Sequence, residues 1–165
     1  MRVQDIMSEA LKSCRCETNL AEAASIMWEA DCGILPVIGD DGKVIGMITD
    51  RDIAMAVGTT NRIPSDIRAA EAMCREIHDC SPDDDIHAAL ETMRKAKIRR
   101  LPVVSADGVI QGILSLNDIA RHAEKPEARR TAADLSYDDL AITLKAISEH
   151  RRLALSLEAQ VATPR

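Results

Sequence analysis

The sequence predicts an α/β (α+β) fold made of two copies of one small unit, followed by a C-terminal helix. Three observations predict it. The chain matches itself without gaps at a shift of 66 residues, as from Asp52 to Asp118. Each copy places an apolar stripe at helical spacing ahead of two β-branched runs that flank an Asp-Gly turn. And 46% of the 165 residues are hydrophobic, enough for a core without disulfide or metal staples.

The repeat sets the organisation. Met7 aligns with Met73, Cys14 with Cys80, Met27 with Met93, and Leu35-Pro36-Val37 with Leu101-Pro102-Val103. Gly46 aligns with Gly112, and Asp52-Ile53-Ala54 with Asp118-Ile119-Ala120. Two long copies make a paired domain, not a solenoid. The expected layout is a first copy at residues 1–60, a linker at 61–68 and a second copy at 69–124. A polar linker and an amphipathic helix then fill 125–165.

Each copy opens with a short leading segment, VQDIM or AAEAM. A helix follows, with Asn19 or Asp85 at the N-cap position. Its apolar face is Leu20, Ala23, Ala24 and Met27 in one copy, and Ile86, Ala89, Leu90 and Met93 in the other. Next comes a hairpin around GDDG or SADG. Pro36 and Pro102 lack an N–H, which predicts that they lie near a strand start or an edge. Thr49 or Ser115 then opens a second helix, with Ile53-Ala54 or Ile119-Ala120 on its inner face. The C-terminal helix is expected from Tyr137 to about Gln160, capped by Ser136 and Asp139. Tyr137, Leu140, Leu144, Ile147, Arg151, Ala154 and Leu155 lie along one side of it.

Composition excludes several functions. The net charge is −6, with no Phe, one Trp and one Tyr. Such a chain lacks both the basic surface and the stacking platforms of nucleic-acid binders. No run approaches the ~20 apolar residues of a membrane span, and no signal-type apolar stretch opens the chain. Five cysteines without framework spacing read as reduced thiols in a cytoplasm. The pair Cys14 and Cys16 is a weak metal signal, so buried inert thiols are expected and no metal ligand is assigned. His78 and His87 flank Cys80, which keeps a thiol- or metal-dependent stress sensor as a weaker alternative. With no P-loop, H-E-x-x-H or nucleophile–base motif, no catalytic residue is assigned and the chain does not read as an enzyme.

The stretches GMITDRD (46–52) and GILSLND (112–118) carry the candidate site. A hydroxyl followed three residues on by an acid is a capping box. The same pair is also ligand chemistry. One carboxylate can accept from both hydroxyls of a ribose, and a helix N-terminus favours an anion. Thr49 with Asp52 and Ser115 with Asp118 fit both readings.

In its order, spacing and duplication this set resembles the cystathionine β-synthase (CBS) domain. The matching features are a leading segment ending in Ile-Met, an apolar-faced helix, Leu-Pro-Val, Asp-Gly and Gly-x-x-[Thr/Ser]-x-x-Asp-Ile. Two such domains in tandem form a CBS pair, or Bateman module, and the likeness spans roughly Val3 to Ala123. It implies two βαββα units packed through their sheets with pseudo-two-fold symmetry, dimerising into a disc. It also implies AMP, ADP or ATP in the clefts, less readily S-adenosylmethionine or NAD, and a protein effector that reads the ligand. Asp52 and Asp118 would hold ribose, with Thr49 and Ser115 donating to ribose or phosphate. Arg99 and Arg100 match positions that reach phosphate in the second copy; Arg51 is the substitute in the first. Ile34, Met7 and Met73 are candidate adenine walls, as are Ile6, Met47, Ala72 and Ile113. The alternative is a ligand-free dimeric scaffold whose boxes are only caps.

Overall fold

The computed structural model describes residues 1–9, 11–124 and 134–149. In the first copy, β1 (Cys14–Arg15) precedes α1 (Leu20–Glu29), the hairpin β2 (Ile34–Ile38) and β3 (Val44–Thr49), and α2 (Asp50–Thr60). The short α3 (Ala69–Ala72) leads into α4 (Ile86–Ala96), the hairpin β4 (Arg100–Val104) and β5 (Ile110–Ser115), and α5 (Leu116–His122). Helix α6 (Tyr137–Ser148) follows. The first sheet runs β1-β2-β3, with β1 parallel to β2 and β2 antiparallel to β3. In the second sheet, Cys80 makes a single parallel bridge to Val103 in place of β1. This is the βαββα pair that the CBS resemblance implies.

Local rules account for most of these elements. Asn19 and Asp85 cap α1 and α4 by accepting from the backbone N–H of Glu22 and His87, each at 2.9 Å. Gly42 and Gly108 take positive φ of 77° and 81°, which lets the Asp-Gly turns close. The core is aliphatic throughout, since the one tryptophan, Trp28, is 87% exposed on α1.

The decisive contacts are not local. Val3 and Ile6, from the leading segment of the first copy, are buried in the core of the second, with Ile86, Leu90, Leu101 and Leu114. Ile67, Ala69 and Met73, which lead the second copy, are buried in the core of the first, with Leu20, Leu35 and Ile48. The two units thus exchange leading segments. Each exchange is pinned by a pair of backbone hydrogen bonds. Ser8 and Ile113 donate to each other's carbonyls at 2.9 and 3.0 Å, and Met47 and Cys74 do so at 2.9 and 2.8 Å. The crossing passes directly over Gly112 and Gly46. A Cβ on Gly112 would lie 2.8 Å from Met7 Sδ; one on Gly46 would lie 2.6 Å from Met73 Sδ.

Several expectations are corrected. Pro36 is the middle residue of β2, the central strand of its sheet, and so is neither near a strand start nor at an edge, whereas Pro102 lies in β4, an edge strand as expected. The Pro102 carbonyl accepts from Cys80 N–H at 3.2 Å, so its missing N–H faces that same side, where only one bridge forms. Ala54 and Ala120 are exposed, while Ile53 turns inward on α2 with Ala56 and Val57 beside it, and Ile119 turns inward on α5. Ala24 is exposed too, whereas its counterpart Leu90 is buried on α4, the helix against which α6 packs.

Helix α6 is shorter than the spacing predicts. It starts at the Ser136–Asp139 box and ends at Ser148, with Glu149 extended. The rest of the expected helix, including Arg151, Ala154 and Leu155, lies outside the described residues, as does most of the polar linker. The helix packs on α4 and α5 through Leu140 and Ile147, with Thr143 buried between them along the chain, while Tyr137 and Leu144 are exposed.

Two predictions follow from this packing. Gly112→Ala lowers the unfolding free energy by ~1–3 kcal/mol, because the crossing backbone cannot move away cheaply. Gly58→Ala, in α2 with nothing near its added methyl, raises stability by up to ~1 kcal/mol. Urea midpoints of the two variants check the contrast.

The thiols give a pH dependence. Burial pushes Cys14 up to about 11 and Cys80 up to about 12, from 9.0. The folded state therefore keeps protons that the unfolded state releases. Stability is full below pH 9 and falls as the pH rises from there towards 11–12. Denaturation at stepped alkaline pH measures the loss, and Ellman's reagent near pH 8 labels exposed Cys74 before Cys14 or Cys80.

Candidate functional site

Both capping boxes form. Thr49 N–H and Oγ1 donate to Asp52 Oδ2 at 2.9 and 2.7 Å, and Thr49 Oγ1 accepts from Asp52 N–H at 3.1 Å. Ser115 N–H and Oγ donate to Asp118 Oδ2 at 2.8 and 2.5 Å, and Ser115 Oγ accepts from Asp118 N–H at 3.3 Å. In each case the cap occupies one carboxylate oxygen. The second oxygen differs. Among the described residues, Asp52 Oδ1 has no hydrogen-bond partner. Asp118 Oδ1 accepts from the Arg121 guanidinium.

Each box sits at the edge of a cleft. The first cleft holds Thr49, Arg51 and Asp52, with Met47 and Ile34 as apolar walls, and encloses about 570 Å³. Its opposite wall comes from the second copy: Cys74, Glu76, His78, Lys97, Arg99 and Arg100. The second cleft holds Ser115, Asn117, Asp118 and Arg121, with Ile113 and Ile34 as walls, and encloses about 300 Å³. Ser8, Lys12 and Asp31 reach it from the first copy. Both volumes lie in the range of small-molecule sites.

The structure redistributes the candidates. Arg99 lines the first cleft, facing Thr49 and Asp52 across the copies, and Arg100 borders both clefts. Arg51 is in the first cleft as well, so Arg51, Lys97, Arg99 and Arg100 converge there. Ile34 lines both clefts. Met7 and Met73 line neither; each thioether lies over the glycine at its crossing, where the absent Cβ makes room. Ile6 is buried in the core of the second copy, and Ala72 packs against the core of the first. Three basic lining groups were not singled out from sequence: Lys97, Lys12 and Arg121. The repeat carried a signal for Arg121, since its counterpart in the first copy is Met55.

Among the described residues, no three His, Cys, Asp or Glu side chains gather in a group that could hold a metal ion. No helix among them is long and apolar enough to cross a membrane.

Caps and clefts make separable demands on stability. Thr49→Val and Ser115→Ala each lose a cap acceptor and cost ~1 kcal/mol in chemical denaturation. Asp118→Ala costs more than Asp52→Ala, up to ~3 kcal/mol, because Asp118 is 3% exposed and also anchors Arg121.

Comparison with known proteins bears on this arrangement. A family model for the CBS domain matches residues 3–59 and again 66–125. Hypoxic response protein 1 of Mycobacterium tuberculosis is 34% identical over 119 residues, covering 72% of this chain and 82% of that protein. Its crystal structure, with two coordinated zinc ions, aligns at a TM-score of 0.68 and 33% identity over 75% of this chain and 100% of that one. The CBS domain pair of protein MJ0100, in complex with 5'-methylthioadenosine and S-adenosyl-L-methionine, aligns at a TM-score of 0.67 and 28% identity. That alignment covers 73% of this chain and 94% of the pair.

Proposed function

The chain belongs to the CBS-domain family, and on that premise we propose that it senses an adenine nucleotide of the AMP, ADP or ATP class and signals to a protein effector. The observation that carries the reading is Asp52. One of its oxygens closes the cap and the other is unpartnered among the described residues, at the edge of a cleft with four cationic side chains. That oxygen suits a ribose diol, and the arginines suit phosphate. Met47 and Ile34 offer apolar faces to adenine. The methylthioadenosine and S-adenosylmethionine held by the MJ0100 pair share the adenosine half of this ligand class. The cations favour a phosphorylated ligand over a sulfonium.

Signalling requires that ligand prefer one of two arrangements. Helix α6 is the proposed output, since Ile147 borders the same cleft and Lys97 Nζ donates to the Glu149 carbonyl at 2.9 Å. A homodimer in the cytoplasm completes the reading; exposed Trp28 and Met55 give α1 and α2 an apolar surface for such a contact. The competing reading, a ligand-free scaffold, rests on the completed capping boxes.

Calorimetry with AMP, ATP and S-adenosylmethionine separates the two. Micromolar binding of a phosphorylated ligand is expected, weakened at least tenfold by Asp52→Asn, which keeps a cap acceptor. Absence of any binding below millimolar ligand leaves the scaffold.

A further inference from the structure

The two clefts differ most at one residue that the proposed function does not use. We propose that Arg121 is a latch on the Ser115/Asp118 cleft: its guanidinium holds the one Asp118 oxygen that a ribose would need, so the two clefts fill unequally. This rests on the nucleotide-binding reading above.

The geometry is specific. Asp118 is 3% exposed, and both its oxygens are committed, Oδ2 to the Ser115 cap and Oδ1 to Arg121. Arg121 lies one helical turn beyond it on α5, so the two side chains face each other at i, i+3. Each carboxylate oxygen has two acceptor sites; the guanidinium fills one on Oδ1, which leaves too few for both hydroxyls of a diol. In the first copy the same helical position holds Met55, which has no donor, and Asp52 Oδ1 is free of described partners.

The latch is able to open. The Arg121 side chain is 68% exposed while that of Asp118 is 4% exposed, so the arginine can swing into solvent and the acid cannot. Arg121 borders the cleft, and ribose entering there must displace it. The displacement cost falls on the second cleft alone. The first cleft therefore fills first, and the second only at higher ligand concentration.

Calorimetry tests this with the full chain and AMP, ATP and S-adenosylmethionine as probes. The wild type is expected to show one strong site that Asp52→Asn weakens at least tenfold and Asp118→Asn alters less than twofold. Arg121→Met, which installs the first-copy residue, should tighten the second site at least tenfold. Adding Asp118→Asn to that variant should abolish the gain. A thermal melt of Arg121→Met confirms that it is folded. An unchanged second site in folded Arg121→Met overturns the latch while the nucleotide reading stands. So does equal weakening by Asp52→Asn and Asp118→Asn in the wild type. No binding by either the wild type or Arg121→Met overturns both.

Discussion

Everything in this fold depends on two short backbone crossings. Ser8 pairs with Ile113 and Cys74 pairs with Met47, each over a glycine. A copy of this size buries little apolar surface by itself and is marginal alone. The crossings solve that by completing each core with the other copy's leading segment. They also make the clefts. Ser8 borders the Ser115/Asp118 cleft and Cys74 borders the Thr49/Asp52 cleft. The element that ties the units together is thus a wall of each site, and loosening one loosens the other.

Pseudo-symmetry in the backbone makes the chemical differences between the copies easy to read. The start of β4 lies where the two clefts meet, so Arg99 and Arg100 bring charge to Thr49 and Asp52 although they belong to the other copy. Arg51 adds to the same cleft, while its counterpart Asn117 is neutral. Cations gathered in a concave site act together on an anion, more strongly than the same charges spread over a surface. The protein carries a net charge of −6, yet this one cleft is locally basic. Composition therefore argues against a nucleic-acid surface without arguing against a small anion.

What was legible in the sequence was what is local. Asn19, Asp85 and Ser136 cap their helices by contacts within three residues, and the Asp-Gly turns follow from glycine's access to positive φ. The boxes at Thr49 and Ser115 were readable for the same reason. The exchange of leading segments was not, because it joins residues distant in sequence, Met47 with Cys74 in one crossing and Ser8 with Ile113 in the other. Gly46 and Gly112 did mark it, but a repeated glycine does not say which segment crosses it. Met7 and Met73 read as ligand walls because a chain so poor in aromatics must offer aliphatic ones, and only the crossing shows that they seat on glycine. Ala24 and Leu90 occupy one repeat position with opposite exposure, a difference that follows from α6 and not from the repeat.

Helix α6 breaks the two-fold, and it does so beside the basic cleft. Arg94 donates to buried Thr143 at 3.1 Å, and Lys97, at the left-handed end of α4, donates to the Glu149 carbonyl at 2.9 Å. Lys97 also borders the cleft of Thr49 and Asp52. An ammonium has three donors, so one hydrogen bond to Glu149 leaves two for a ligand. The same side chain can then serve the end of α6 and a phosphate together. Its position depends on both, because a stem held at φ 56° has a fixed origin from which to reach. Coupling between site and helix needs no longer path than this single residue. In the first copy the position of Lys97 is held by Asp31, also at positive φ (48°), and the α1 and α2 face is exposed at Trp28 and Met55. The asymmetry of the tail and the asymmetry of the clefts therefore fall on the same site.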